Sequence, residues 1–403
     1  MAEKKKGLEV NKPISAAIGK HYEDARTKKP LAWTLMSPDP LIEIAYAAGI
    51  QPVFPENYAA ACASRHVSSK YCETAEAHDY LSDICSYCRN CFGYIFSQDP
   101  EPPQGGLGEP DMFFMATNAC VQYFKWWDTL RLMYNKPVVQ INTPRIMEEE
   151  AEDYYLDYTM REVEKAIAQI EKITGIKISE KKLAEAVKLS DEGIGYWIEI
   201  LEMQKTVPAP ATFIDLNNML FPLIALSGTK EGVELLKEAH AEVKQCVAEK
   251  TSAIEGEKHR LLFLNIPLWY NLRLLGYFAE HGATFPLGDY TQHVWGTARL
   301  DASAPIRSLA TKALAPNNAL NGGVDKQINN MLKDIADYHI DGVVVHSNRS
   351  CKVMSVGQLD AARIINETYD IPVLILDADH TDERVYSDAM VKTRIDAFLE
   401  TLQ

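Results

Sequence analysis

Short apolar runs edged by chain breakers recur in two separate parts of the chain. Leu31–Thr34, Gln51–Phe54, Met112–Ala116 and Pro137–Ile141 lie in the first third, bounded by Pro, Gly, Asp or Asn. With helical stretches between them, such runs predict buried parallel strands. From about Arg145 to Gly256 the pattern becomes long, charged and helical in period. Leu236, Ala239, Val243, Cys246 and Val247 form one apolar stripe there. Thr229 is placed to cap that helix, and Gly256 to end the region. Strand-like runs return at Arg260–Leu264, Ala283–Leu287, Gly342–His346 and Val373–Leu376, with Val324–His339 helical between two of them. The pattern reads as α/β over 1–145, helical over 146–256, and α/β over 257–403.

Ligands of open parallel sheets, Rossmann- or flavodoxin-like, bind beyond the carboxyl ends of the strands. The residues just after each run are therefore the candidates for chemistry. Neither a G-x-x-x-x-G-K-[ST] phosphate loop nor a G-x-G-x-x-G turn after a strand occurs.

Composition narrows the class. The 403 residues suit two or three domains, with 47% hydrophobic and 24% charged positions. These proportions exclude a disordered, collagenous, coiled-coil or small disulfide-stapled chain. Lys+Arg 41 against Asp+Glu 56 leaves a net charge of −15. An acidic surface repels nucleic acid and anionic membranes, and the only basic run is Lys4-Lys5-Lys6. No apolar stretch reaches the ~18 residues of a membrane span. The start MAEKKKGLEV lacks the apolar core of a signal peptide, so a cytoplasmic location is the default expectation.

Eight cysteines in a cytosolic chain point away from disulfides. Cys120 comes just after Met112–Ala116, and Cys351 just after Gly342–His346. Two thiols at equivalent strand ends are placed to face each other across an interdomain cleft. The third group is Cys85-Ser-Tyr-Cys88-Arg-Asn-Cys91, which starts like a bacterial ferredoxin motif but continues with Phe92, Gly93 and Tyr94. Three thiolates from separate segments suit an iron–sulfur cluster with one iron left open. Zinc is the other metal reading and would want a fourth ligand or a water. Buried free thiols are the reading without metal. Cys246 on its apolar stripe, Cys62 among alanines, and Cys72 read as core.

Flanking residues sharpen this. The segments Phe54-Pro-Glu-Asn-Tyr-Ala-Ala, Cys85-Ser-Tyr-Cys-Arg-Asn-Cys-Phe-Gly, Asn118-Ala-Cys-Val-Gln-Tyr-Phe-Lys-Trp-Trp and Asn348-Arg-Ser-Cys-Lys-Val-Met-Ser occur in this order. With the closing Asp377-Ala-Asp-His-Thr-Asp-Glu-Arg, the chain resembles the 2-hydroxyacyl-CoA dehydratase / benzoyl-CoA reductase superfamily from about residue 30 onward. The resemblance implies two α/β domains with a helical portion and a [4Fe-4S] cluster in the interdomain cleft. It implies three cysteine ligands at Cys85, Cys120 and Cys351. Cys88 and Cys91 depart from the family pattern and stand as alternatives to Cys85, which keeps the position before Ser-Tyr-x-Arg.

The resemblance further implies a CoA-thioester substrate. One-electron reduction of the thioester would give a ketyl radical able to expel an α-hydroxyl, with the electron returned at the end. A separate ATP-hydrolysing iron–sulfur activator protein would supply that electron, and a homologous second subunit would complete a heterodimer. Three readings compete: a dehydratase subunit, suggested by Phe54-Pro-Glu-Asn and His293-x-Trp295; a benzoyl-CoA reductase subunit, suggested by Ser355-Val-Gly-Gln and Ala378-Asp-His-Thr-Asp; and a non-catalytic electron-transfer subunit.

Further candidates follow from position. Glu56 resembles a family position near the substrate and could act as base or orient the hydroxyl, or be a structural carboxylate. Ser37 and Thr34, after the first run, are candidates to bond substrate, or loop caps. His293 is a candidate proton carrier. Arg349 and Lys352 flank Cys351 and could stabilise a reduced cluster, or pair with carboxylates. His346 could bond to a cluster sulfur. Trp126 and Trp127 read as core aromatics. Asp377, Asp379 and Asp382 read as a structural carboxylate loop, partly neutralised by Arg384.

Overall fold

The computed structural model describes residues 7–37, 39–117, 119–146, 153–292, 298–315 and 323–402. Two four-stranded parallel sheets organise it. The first contains β1 (Leu31–Trp33), β2 (Gln51–Val53), β3 (Met112–Ala116) and β4 (Val138–Ile141) in the order β2-β1-β3-β4. The second contains β5 (His259–Leu264), β6 (Ala283–Gly288), β7 (Gly342–Asn348) and β8 (Val373–Ala378) in the order β6-β5-β7-β8. The two orders are the same, a duplication of topology that the sequence alone does not reveal.

All eight apolar runs are strands, because a strand covered on both faces must be apolar throughout. β1, β2 and β3 are buried at every position. The differences lie at the strand ends. β7 and β8 each run two residues beyond the apolar run, and Ser347 and Asn348 pair with Asp377 and Ala378. The ladder thus extends into polar residues at the carboxyl edge. In each sheet the chain leaves in opposite directions between the first and third strands, the switch point where such folds bind ligands.

Helices Asp153–Thr174, Glu180–Met203, Phe213–Leu220 and Lys230–Glu249 follow the first sheet. The Thr229 hydroxyl caps the last of these by accepting the Gly232 N–H at 3.0 Å. Leu236, Ala239, Val243 and Cys246 are buried along its stripe, while Val247 keeps some exposure. These helices share a core with the first sheet: Ala32, Ile44, Phe114 and Val139 pack in one cluster with Val163, Val187, Trp197 and Leu236. The second sheet has a separate core on each face, around Phe263, Phe285 and Val344, and around Leu262, Val343 and Ile365. No helix among the described residues is long and apolar enough to cross a membrane.

One close approach positions the cysteine segment. A Cβ at Gly93 would lie 1.7 Å from the Tyr71 carbonyl oxygen. Only glycine lets helix Ser86–Ser97 lie this tightly on helix Ser68–Glu76, and the first of these carries Cys85 at its amino end.

Candidate functional site

Cys120 follows β3 and Cys351 follows β7, the same position in the two sheets. Cys85 precedes helix Ser86–Ser97 and donates its N–H to Gln122 Oε1 at 3.2 Å. All three thiols are half-buried and pack against one core built on Trp33, Phe113, Tyr87 and Trp127. Burial, then the nearby Cys351 and Cys120, push the Cys85 thiol well above its ordinary range. Burial raises Cys120 to about 11 and raises Cys351 as well. Left alone, these thiols stay protonated, and a bound cation would have to displace the protons. Among the described residues no three of His, Cys, Asp and Glu converge as the ligands of one ion do.

The remaining cysteines are more deeply buried than these three. Cys62, Cys72, Cys88, Cys91 and Cys246 are buried. Cys88 lies beside Gln122, the residue that also holds Cys85.

A polar network from the second sheet meets the Cys85 helix. His380, just past β8, is fully buried. Its Nε2 lies 3.0 Å from Ser86 Oγ and 3.8 Å from Cys85 Sγ. Its Nδ1 faces the Asn348 side chain, with Nδ2 at 2.9 Å. Asn348 Oδ1 in turn accepts the Cys351 N–H at 3.3 Å. Ser350 Oγ accepts the Ser86 N–H at 3.1 Å and donates to Asp379. Burial lowers His380 to about 4, so it is neutral near pH 7.

Glu56 opens the helix after β2. Its Oε2 accepts the Met36 N–H at 2.8 Å, and the Tyr123 hydroxyl also bonds to it. Burial raises its carboxyl to about 7, against the opposing effect of these two donors. Its charge acts on Tyr123, Tyr87 and Tyr290, while Cys85 or Cys351 acts on the same tyrosines. Carboxyl, phenols and thiols are therefore near neighbours. The Trp269 indole donates to the Tyr87 hydroxyl, tying the two lobes together beside them. Beyond β1, Thr34 Oγ1 and Ser37 Oγ are buried without a hydrogen-bond partner among the described residues. Buried hydroxyls left this way are costly unless something else binds them.

A family model described as 2-hydroxyglutaryl-CoA dehydratase, D-component, matches residues 41–402. The chain belongs to this family. It is 30% identical over 366 residues to the (R)-phenyllactyl-CoA dehydratase alpha subunit of Clostridium sporogenes, spanning 89% of this chain and 87% of the relative. It is 27% identical to the (R)-2-hydroxyisocaproyl-CoA dehydratase alpha subunit of Clostridioides difficile, over 100% of this chain and 98% of the relative. A benzoyl-CoA reductase subunit of Thauera aromatica is 26% identical over 86% of this chain and 83% of that protein.

Within this dehydratase-family chain, several residues singled out from sequence have other engagements. Arg349 is exposed and forms a two-pronged bond to Asp377, at 2.9 and 2.8 Å. Lys352 Nζ donates to the Arg349 carbonyl at 2.6 Å. The carboxylate on β8 holds Arg349, and the bonds that both cations make involve no thiol. His346 is buried with Nδ1 2.6 Å from the Ile266 carbonyl, and Nε2 has no hydrogen-bond partner among the described residues. His293 lies outside the described residues. Trp126 and Trp127 are core.

The carboxylate loop is structural in part. Asp382 accepts from Arg89 and Arg384, and Asp379 accepts the Thr381 and Asp382 N–H groups. That loop also delivers His380, which no reading of the sequence singles out. The same holds for Tyr123, Tyr87 and Tyr290. Tyr87 and Tyr123 stand in the segments around Cys85 and Cys120 that carry the family resemblance, and Tyr290 follows β6; which way their side chains point depends on how the lobes meet.

Proposed function

We propose that the chain is the catalytic subunit of an (R)-2-hydroxyacyl-CoA dehydratase, holding a [4Fe-4S] cluster on Cys85, Cys120 and Cys351. The observation that carries this reading is the gathering of three half-buried thiols, from both lobes, around the space that Glu56 and Tyr123 also face. The donor set fits such a cluster. Thiolates are soft ligands suited to iron–sulfur centres, and three of them leave one iron open. When bound, the cluster would supply a low-potential electron and Lewis acidity at the thioester carbonyl.

The chain's own residues account for binding and proton movement. Thr34 and Ser37 present unpartnered hydroxyls at the end of β1, where a substrate carbonyl or hydroxyl can take their bonds. Loss of water requires a proton for the departing α-hydroxyl and removal of one from the β-carbon. Glu56, raised to about 7, can hold or release a proton near neutrality. Tyr123 fixes the orientation of that carboxyl. The aromatic rim of Tyr87, Trp269 and Tyr290 keeps water out of the space.

The relatives named as alpha subunits support a partner subunit. In this proposal the electron comes from an ATP-hydrolysing iron–sulfur activator. Aromatic-ring reduction is the second reading, favoured by the likeness to the benzoyl-CoA reductase chain of Thauera aromatica. The test is anaerobic purification with the co-expressed partner, followed by iron and sulfide counts, EPR and turnover. A cluster lost in Cys120→Ala and enoyl-CoA formed from 2-hydroxyacyl-CoA thioesters bear the proposal out. Reduction of benzoyl-CoA alone selects the second reading. An intact cluster with no turnover of either substrate selects an electron-transfer subunit. Zinc, or inert thiols without metal, overturns all three.

A further inference from the structure

We propose that His380 is a positioning residue that donates its Nε2–H to the sulfur of Cys85 and so sets the reduction potential of the cluster held there. This rests on the cluster reading above and adds a residue that the ligand set does not contain.

The direction of the donated hydrogen is read along a chain of bonds with a fixed donor at one end and a fixed acceptor at the other. At one end is the Cys351 N–H, which can only donate. It takes Asn348 Oδ1 at 3.3 Å and thereby fixes the amide, leaving Nδ2 to donate to His380 Nδ1 at 2.9 Å. Asn348 Oδ1 is also 3.1 Å from that ring nitrogen, a longer contact than the one from Nδ2. At the other end is the Asp379 carboxylate, which can only accept. The Ser86 hydroxyl donates to it, so Ser86 Oγ is left to accept from the ring. Both ends place a proton on Nε2. That N–H lies 3.0 Å from Ser86 Oγ and 3.8 Å from Cys85 Sγ, shared between the two.

The position matters because the ring belongs to the second lobe and the sulfur to the first. His380 has no exposed surface, so solvent does not compete for the bond. Hydrogen bonds to cluster sulfurs stabilise the more negative, reduced form and raise its potential. Ser86 acts as the competitor. With its hydroxyl present the N–H is divided, and without it the whole bond falls to sulfur. His346, the histidine suggested by strand position, has Nδ1 on the Ile266 carbonyl instead.

The experiment is a redox titration followed by EPR on the anaerobically purified protein with its partner, comparing wild type, His380→Leu, His380→Gln and Ser86→Ala at equal iron content. His380→Leu is expected to lower the reduced-to-oxidised ratio at fixed potential about tenfold, a shift of ~59 mV for a one-electron couple. His380→Gln keeps an N–H and should recover much of it, while Ser86→Ala should shift the potential upward. If His380→Leu fails to hold the cluster, the wild type decides. Pulsed EPR on reduced protein with ¹⁵N-labelled histidine should show a nitrogen coupling that disappears in His380→Gln labelled the same way. An unchanged potential in His380→Leu with full iron, or no histidine coupling in wild type, overturns the role of His380 alone. Absence of iron and sulfide from wild type overturns the cluster reading beneath it.

Discussion

Arg89 Nη1 lies 2.8 Å from Asp382 Oδ2, and the two side chains, from opposite lobes, are 2% and 3% exposed. Arg89 also reaches Glu76 at 2.6 Å, and Asp382 also holds Arg384 at 2.6 Å. Burying these charges costs desolvation that only their mutual bonds offset. Removing one member leaves the others buried and short of a partner. Arg89→Met should therefore destabilise the fold by about 3–5 kcal/mol in urea denaturation. The double variant Arg89→Met with Asp382→Leu should recover part of that loss. A single-variant cost under ~1 kcal/mol, the range of a surface pair, would show that the network does not hold the lobes together.

Glu56, a carboxyl of the proposed site, is raised by burial to about 7. If it must hold a proton for turnover, kcat falls as pH rises through that value. Glu56→Gln keeps the shape but cannot titrate. It should lose roughly 10²- to 10⁴-fold in kcat and lose that limb of the pH profile as well. A profile that keeps the limb in Glu56→Gln assigns the titration to another group.

Much of this arrangement was legible in the sequence, for identifiable reasons. All eight strands announced themselves because parallel strands covered on both faces are continuously apolar, and Thr229 announced a cap that the helix uses. The thiols after β3 and β7 stood out because ligands gather beyond strand ends. What stayed hidden is contact between distant segments. Nothing local tells that Arg349 turns to Asp377, or that His380 rather than His346 lies beside Cys85. Those outcomes depend on the packing of helix Ser86–Ser97 against the β8 edge, far away along the chain, as the Ser350 bond to Ser86 illustrates with its separation of 264.

Cys88 and Cys91 give a further test, because they sit in the same motif as Cys85 yet are buried within the first-lobe core. Cys88→Ala and Cys91→Ala should each keep the full iron and sulfide content and cost about 1 kcal/mol of packing. Cys85→Ala should lose the cluster signal. Iron lost from Cys88→Ala but kept in Cys85→Ala would exchange the two residues in the ligand set.

Asp39 offers a thermodynamic readout independent of any cluster. It is fully buried, and burial raises its carboxyl from 3.8 to about 7, with the Leu41 N–H and Lys312 opposing and Glu43 assisting. The folded chain then keeps a proton that the unfolded chain has released. Where the folded state binds more protons, stability falls as pH rises, here across the window from about 4 to about 7. Buried His21 and His380, both lowered to about 4, act in the opposite sense, since stability is lost as pH falls and they must charge. The overall profile mixes these effects, and a difference measurement separates them. Asn resembles the protonated acid and can keep the bond from the Leu41 N–H at 2.8 Å. Relative to wild type, Asp39→Asn should gain stability steadily as pH rises, by on the order of 4 kcal/mol across the window. Urea denaturation of both proteins at pH 4.5, 5.5, 6.5 and 7.5 measures this. A difference that stays flat with pH would mean that Asp39 is ionised in the fold and that Lys312 outweighs its burial.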